Sequence, residues 1–255
     1  MRLFASINKL SIFSMICLTL LVPKTQAEEV SLENGMQPFI QELFQSELAF
    51  AQEQGELQVG LSINYLNADE FESSETAVSF EYGVTEKFEM VIFLPYRTLD
   101  FNDDNVHDGI GDIKIGTLYN FINNDNFVFS IMLEAGLTTG NENKKLGENN
   151  TEWEPSLLVA TELGEAQLFF SLGGAFSKGE ANTARWSAAI AFPLVSNTAV
   201  IELNGSRGGE KEDAFLTFGL VRNLSHNQQL QAAFSAGLIK DSPNYGGIVK
   251  WNVEF

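Results

Sequence analysis

The 255-residue chain has one cysteine, two histidines, and 15 Lys and Arg against 34 Asp and Glu. That cysteine, Cys17, falls within the first 27 residues, where the only charges are Arg2, Lys9 and Lys24. Beyond them there is no thiol, which excludes structural disulfides, a thiolate nucleophile and Cys-ligated zinc. Twelve basic against 34 acidic residues then leave a formal charge of −22. A surface of that sign repels phosphate backbones and anionic headgroups, which argues against nucleic-acid binding and a polybasic membrane anchor. Past residue 27 no apolar run approaches the ~18 residues that mark a transmembrane helix.

Arg2 and Lys9 precede an apolar stretch, Ser11 to Val22, followed by Thr25-Gln26-Ala27 with small residues where a signal peptidase reads. Residues 1–27 therefore read as a cleaved secretory signal, too short in its apolar part for the ~20 residues of a membrane span. Cys17 follows Ser14-Met15-Ile16 and lacks the small preceding residue expected for lipid attachment.

From Glu56 to Phe255 apolar residues alternate with polar ones in segments of about ten residues, the signature of half-buried strands. Leu57, Val59, Leu61, Ile63 and Tyr65 open the series, and Phe88, Met90, Ile92, Leu94 and Tyr96 or Phe127, Phe129, Ile131 and Leu133 repeat it. The count is twelve strands. Links near Thr85, Asn124, Gly164, Val195 and Ser225 are short. Those at Asn67–Ser74, Thr98–Gly109, Thr139–Thr151, Ser177–Thr183, Ser206–Asp213 and Lys240–Asn244 are longer and polar. Short turns at one end, long loops at the other and an even strand number predict an all-β, up-and-down antiparallel transmembrane barrel in a Gram-negative outer membrane.

Aromatic placement separates this from a soluble sandwich, which shares the alternation. Tyr65, Tyr96, Trp153, Phe176, Trp186 and Tyr245 fall near one rim, and Tyr82, Phe88, Tyr119, Phe121, Phe127 and Phe192 near the other. Two such girdles mark two membrane interfaces. Residues 28–55 stand outside the pattern: Ile40, Leu43, Phe44, Leu48 and Ala51 recur at helical spacing after Pro38 and predict a short amphipathic periplasmic helix. A cap on the lower mouth, entry into the lumen and a peripheral position all fit that helix.

Gly109-Ile110-Gly111-Asp112 leading into Ile113, Ile115, Tyr119 and Phe121 resembles the strand entry of the outer-membrane family associated with the meta pathway of phenol degradation. Phe93-Leu94-Pro95-Tyr96, Leu137-Thr138-Thr139-Gly140 and Trp153-Glu154-Pro155 are similar to that family as well, over about Glu56 to Phe255. Thr138-Thr139-Gly140 departs from the family's Pro-Thr-Gly and keeps the strand-to-loop reading. The resemblance implies transport of small, often hydrophobic compounds and supplies no binding residues to carry over.

With apolar residues facing lipid, Glu81, Glu89, Asp112, Lys114, Glu134, Glu154, Arg185, Glu202 and Lys250 face inward as candidate pore-lining residues, with Glu254 beside them. Twelve strands ~4.8 Å apart and tilted by ~40° give a backbone radius of ~12 Å, which admits ions and small solutes but not folded proteins. Two arrangements fit these residues: a narrow channel for neutral or cationic solutes, or a plugged lumen in which Lys114, Arg185 and Lys250 pair with the acids. Asp100, Asp103, Asp104 and Asp108, with Asp69, Glu70, Glu72 and Glu75, suit solvated charge or Mg²⁺ and Ca²⁺ bridges to lipopolysaccharide phosphates; they lack the ligand order of a dedicated calcium loop. No metal site or cofactor is assigned. Hydrolysis would rest on His107 beside Asp108 or His226 beside Ser225, without a Gly-x-Ser-x-Gly elbow or a His-x-Ser on a strand. The expectation is a non-enzymatic barrel passively admitting small solutes; the alternative is a non-conducting structural or interaction barrel.

Overall fold

The computed structural model describes residues 35–101, 105–209 and 211–255. The expected signal segment and residues 28–34 lie outside the described residues. The strands are β1 (Leu57–Asn67), β2 (Phe71–Thr85), β3 (Phe88–Phe101), β4 (Val106–Ile110), β5 (Lys114–Asn124), β6 (Phe127–Gly136) and β7 (Glu152–Leu163). They continue as β8 (Ala166–Ser177), β9 (Thr183–Pro193), β10 (Thr198–Gly208), β11 (Lys211–Ser225), β12 (Gln228–Gly237) and β13 (Tyr245–Glu254). Each pairs antiparallel with its neighbours, and β1 closes on β13 from Gln58↔Glu254 to Asn67↔Tyr245. β3 pairs with β4 at its outer end and with β5 at its inner end, so β4 and β5 are halves of one stave and the cylinder has twelve staves.

The break in that stave has a local cause. Pro95 of β3 has no N–H to offer the ladder. Its carbonyl still accepts from Gly111 N at 3.0 Å, but the Gly111 carbonyl facing it is served instead by the Thr139 hydroxyl at 3.1 Å. The same hydroxyl accepts from Ile113 N at 2.8 Å, and Asp112 accepts from Gly140 N and Glu148 N at 2.8 and 2.7 Å. Pro95, Gly111-Asp112 and Thr139 thus form one device that replaces missing ladder bonds and ties the longest outer loop to the rim.

The distribution of side chains is the reverse of a soluble protein. Leu61, Ile63, Met90, Ile92, Ile131, Leu133, Leu157, Phe170, Phe218 and Trp251 are exposed, while Gln58, Ser130, Gln167, Glu202, Thr217 and Gln231 are fully buried. Lipid, not water, solvates the outer face. The outer hairpins run further than hydropathy predicted: Phe71–Ser74, Thr98–Phe101 and Val106–Gly109 are strand rather than loop. Above the bilayer both faces meet water, so the ladder persists after the apolar alternation that reports it has stopped.

No helix forms over residues 35–55, which carry bends and one turn. They make a re-entrant segment inside the lumen: Met36 N donates to Asn124 O at the inner end, and Gly55 N donates to Gly83 O on the way out. Its backbone is bonded by the wall instead of by itself. Phe39 N donates to Gln167, Gln41 N to Gln229, Phe44 N and Gln45 N to Glu202, and Gln52 N to Glu89. Gln167, Gln231, Lys250, Asn120 and Ser130 donate to its carbonyls in return. With those partners in place the i→i−4 bonds of a helix are not needed. The residues that suggested a helix are nevertheless buried: Ile40, Leu43, Phe44 and Leu48 pack on Val128, Met132, Leu158, Phe169 and Val200 of the wall. Phe44 fits because Gly219 lies opposite; a Cβ there would sit 2.2 Å from its ring.

If lipid solvates the outer face, the cost of a charge there depends on depth. Leu157→Arg, at mid-strand in β7, is expected to lower folding stability in bilayers by about 2–4 kcal/mol, and Trp153→Arg at the rim by about 0–1 kcal/mol. Equilibrium denaturant unfolding into lipid vesicles checks this, and equal costs at the two positions contradict it.

Candidate functional site: the lumenal passage

The re-entrant segment does not fill the lumen evenly. Its apolar side packs on the wall from β5 to β13, where inward positions such as Leu118, Val128, Ala160, Ala191 and Ala233 are apolar. The opposite wall, from β1 to β3, turns Gly60, Ser62, Ser79, Glu81 and Arg97 toward open space. Two cavities lie there. The inner one, about 920 Å³, extends from Glu53, Glu56, Lys87 and His226 at the periplasmic mouth up to Glu75 and Arg97. The outer one, about 510 Å³, reaches from the same level to Leu66, Ser73, Leu99 and Lys145. They adjoin at a neck, sharing seven lining residues: Ser46 and Glu47 on the segment, and Ser62, Glu75, Phe93, Arg97 and Lys250 on the wall.

The sequence-predicted lining residues divide into groups. Lys114, Glu134 and Glu81 line the inner cavity, and Lys250 lines both. Glu89 and Glu202 are buried against the segment: Glu202 accepts from two backbone N–H groups and from the Ser46 hydroxyl at 2.6 Å. Glu154 and Arg185 form a pair further up, with Lys114 2.7 Å from Glu154 and Glu152 3.3 Å from Arg185. Asp112 is a loop clamp at the rim. Glu254 lines the inner cavity.

Charge pairing follows the plugged arrangement in part. Lys250 binds Glu42 of the segment at 2.6 Å and Arg97 binds Glu75 at 2.7 Å. Glu81 accepts from the side-chain amides of Gln52 and Gln58. In the outer loop, burial and then the carboxylates of Glu180 and Asp112 hold the Glu148 carboxyl above its usual range. Among the described residues no three His, Cys, Asp or Glu side chains are arranged to hold a metal ion. His107 is engaged in loop packing, with Nδ1 2.8 Å from Lys144 O and its ring edge-on to Phe101.

Strand parity missed the residues the segment brings in: Glu42, Ser46 and Glu47. It also left Glu75 in a loop and did not assign Arg97. The apolar inward residues Val128, Met132, Leu158 and Val200 were the available signal, since strands apolar on both faces need a partner inside the cylinder.

No family model matches the chain, and no curated protein matches it in sequence. Among solved structures, an outer-membrane channel from Pseudomonas putida F1 superposes on 81% of this chain and 98% of its own, with TM-score 0.69 and 14% identity. The NanC porin covers 77% and 98% with TM-score 0.55 and 10% identity. At these identities the likeness concerns the fold, and that fold is the transmembrane β-barrel found in Gram-negative outer-membrane channels and porins.

Removing the Glu202 carboxylate leaves two segment N–H groups without partners, each worth about 1–3 kcal/mol when buried. Glu202→Ala is expected to speed amide hydrogen exchange at Phe44 and Gln45 by about ten-fold or more while exchange in β10 and β11 stays slow. Unchanged protection at those two amides contradicts the anchoring role.

Proposed function

We propose that the barrel is a passive channel for small solutes, which move between the β1–β3 wall and the re-entrant segment. The observation that carries this reading is that the two cavities, one reaching the periplasmic mouth and the other the outer half of the lumen, share seven lining residues at the neck. Hydroxyls, amides and charges line the route, including Ser62, Ser79, Asn252, Glu81 and Arg97. Such a lining suits water-soluble neutral or cationic solutes better than the hydrophobic compounds that the phenol meta-pathway resemblance implies. That resemblance, carried by Gly109-Ile110-Gly111-Asp112 and Leu137-Thr138-Thr139-Gly140, supports transport and is part of the proposal. The nine lining residues expected from parity contribute directly, as Glu81, Lys114, Glu134 and Lys250 do, or by holding the segment and rim in place. At the outer surface, Asp69, Glu70, Asp100 and Asp108 suit bridging through Mg²⁺ or Ca²⁺ to lipopolysaccharide phosphates.

A sealed structural barrel is favoured by the apolar packing of the segment and by the pairing of Lys250 and Arg97 at the neck. Conductance separates the readings. The purified protein in planar bilayers is expected to give discrete single-channel steps, and deletion of residues 36–54 is expected to raise the unit conductance severalfold. No steps from the intact protein, with steps only after the deletion, would establish the sealed barrel instead.

A further inference from the structure

The neck holds one carboxylate that the wall does not supply. Residues on both sides of Glu47 are fixed: Phe44 N, Gln45 N and the Ser46 hydroxyl bind Glu202, while Leu48 and Ala49 are buried and Ala49 O accepts from Asn120 and Ser130. Glu47, between these anchors, is exposed and lines both cavities. The other charged residues lining both cavities are paired, Arg97 with Glu75 at 2.7 Å and Lys250 with Glu42 at 2.6 Å, while Glu81 and Glu134 line the inner cavity alone. Among the described residues Glu47 makes no hydrogen bond and no ion pair within 4.0 Å.

We infer that Glu47 is the selectivity-determining residue of the passage, giving it a preference for small cations over anions. The inference rests on the channel reading and deepens it. Unlike a ring of acids in the wall, this charge is delivered by the re-entrant segment, so selectivity depends on the segment staying docked. A unit charge about 5 Å from a passing ion in a water-like dielectric changes that ion's local concentration by about four-fold. Cations gain by that factor and anions lose by it, which makes Glu47 dominant at a neck whose remaining charges are neutralised.

The test is the reversal potential of single channels in a KCl gradient. Wild type is expected to prefer K⁺, Glu47→Gln to lower the K⁺/Cl⁻ permeability ratio by about sixteen-fold, and Glu165→Gln in a periplasmic turn to leave it unchanged. Because the chain beyond residue 27 has no cysteine, Glu47→Cys provides a unique thiol for reagents applied to the assembled barrel. An anionic sulfonatoethyl thiosulfonate should restore the preference for K⁺, and a cationic trimethylammonioethyl one should move it toward Cl⁻. Intact steps with a ratio that ignores both the substitution and the sign of the reagent overturn the role of Glu47 and leave the channel standing. Absence of steps in wild type overturns the channel, and the selectivity neck with it.

Discussion

Hydrocarbon offers a peptide group no hydrogen-bond partner, so a chain without a long apolar helix can cross a bilayer only as a sheet with no free edge. The β1–β13 pairing supplies that closure, and the rest of the architecture follows from it. Apolar side chains must face outward, leaving polar ones to share an enclosed lumen. Where Pro95 cannot donate, the chain does not leave the Gly111 carbonyl bare; the Thr139 hydroxyl takes over. The short motifs around Pro95, Gly111 and Thr139 are distant in sequence but serve one junction in the wall.

The same rule governs the re-entrant segment. An irregular backbone enclosed by the lumen needs partners for its N–H and C=O groups, and the inward Gln167, Gln229, Gln231, Glu202 and Glu89 provide them. Apolar packing of Ile40, Leu43 and Phe44 against one wall adds the free energy that keeps the segment inside. Since that packing is one-sided, the space left over lies against β1–β3 and is polar. Docking of the segment and existence of the passage are two results of one asymmetry in the wall.

Much of this was legible beforehand. Period-two alternation located the staves, and the aromatic girdles identified lipid rather than a second sheet as the partner of the apolar face. The helix expected after Pro38 does not form: spacing reports which side chains are buried, not whether backbone bonds close internally or on a surrounding wall. Loops such as Thr98–Gly109 were drawn too long because a strand in water loses its apolar face without losing its ladder. Glu47 was invisible to parity: its position comes from anchors at Glu202, Asn120 and Ser130, more than 70 residues away in sequence.

The claim that one face of the sheet lies in lipid and the other encloses the lumen is tested most directly by a nitroxide scan along β7, residues 156–160, in lipid vesicles. Oxygen accessibility is predicted to alternate with period two, high at Leu157 and Val159 and low at Ser156, Leu158 and Ala160. Uniform accessibility to a water-soluble relaxation agent, without alternation in oxygen, would contradict it.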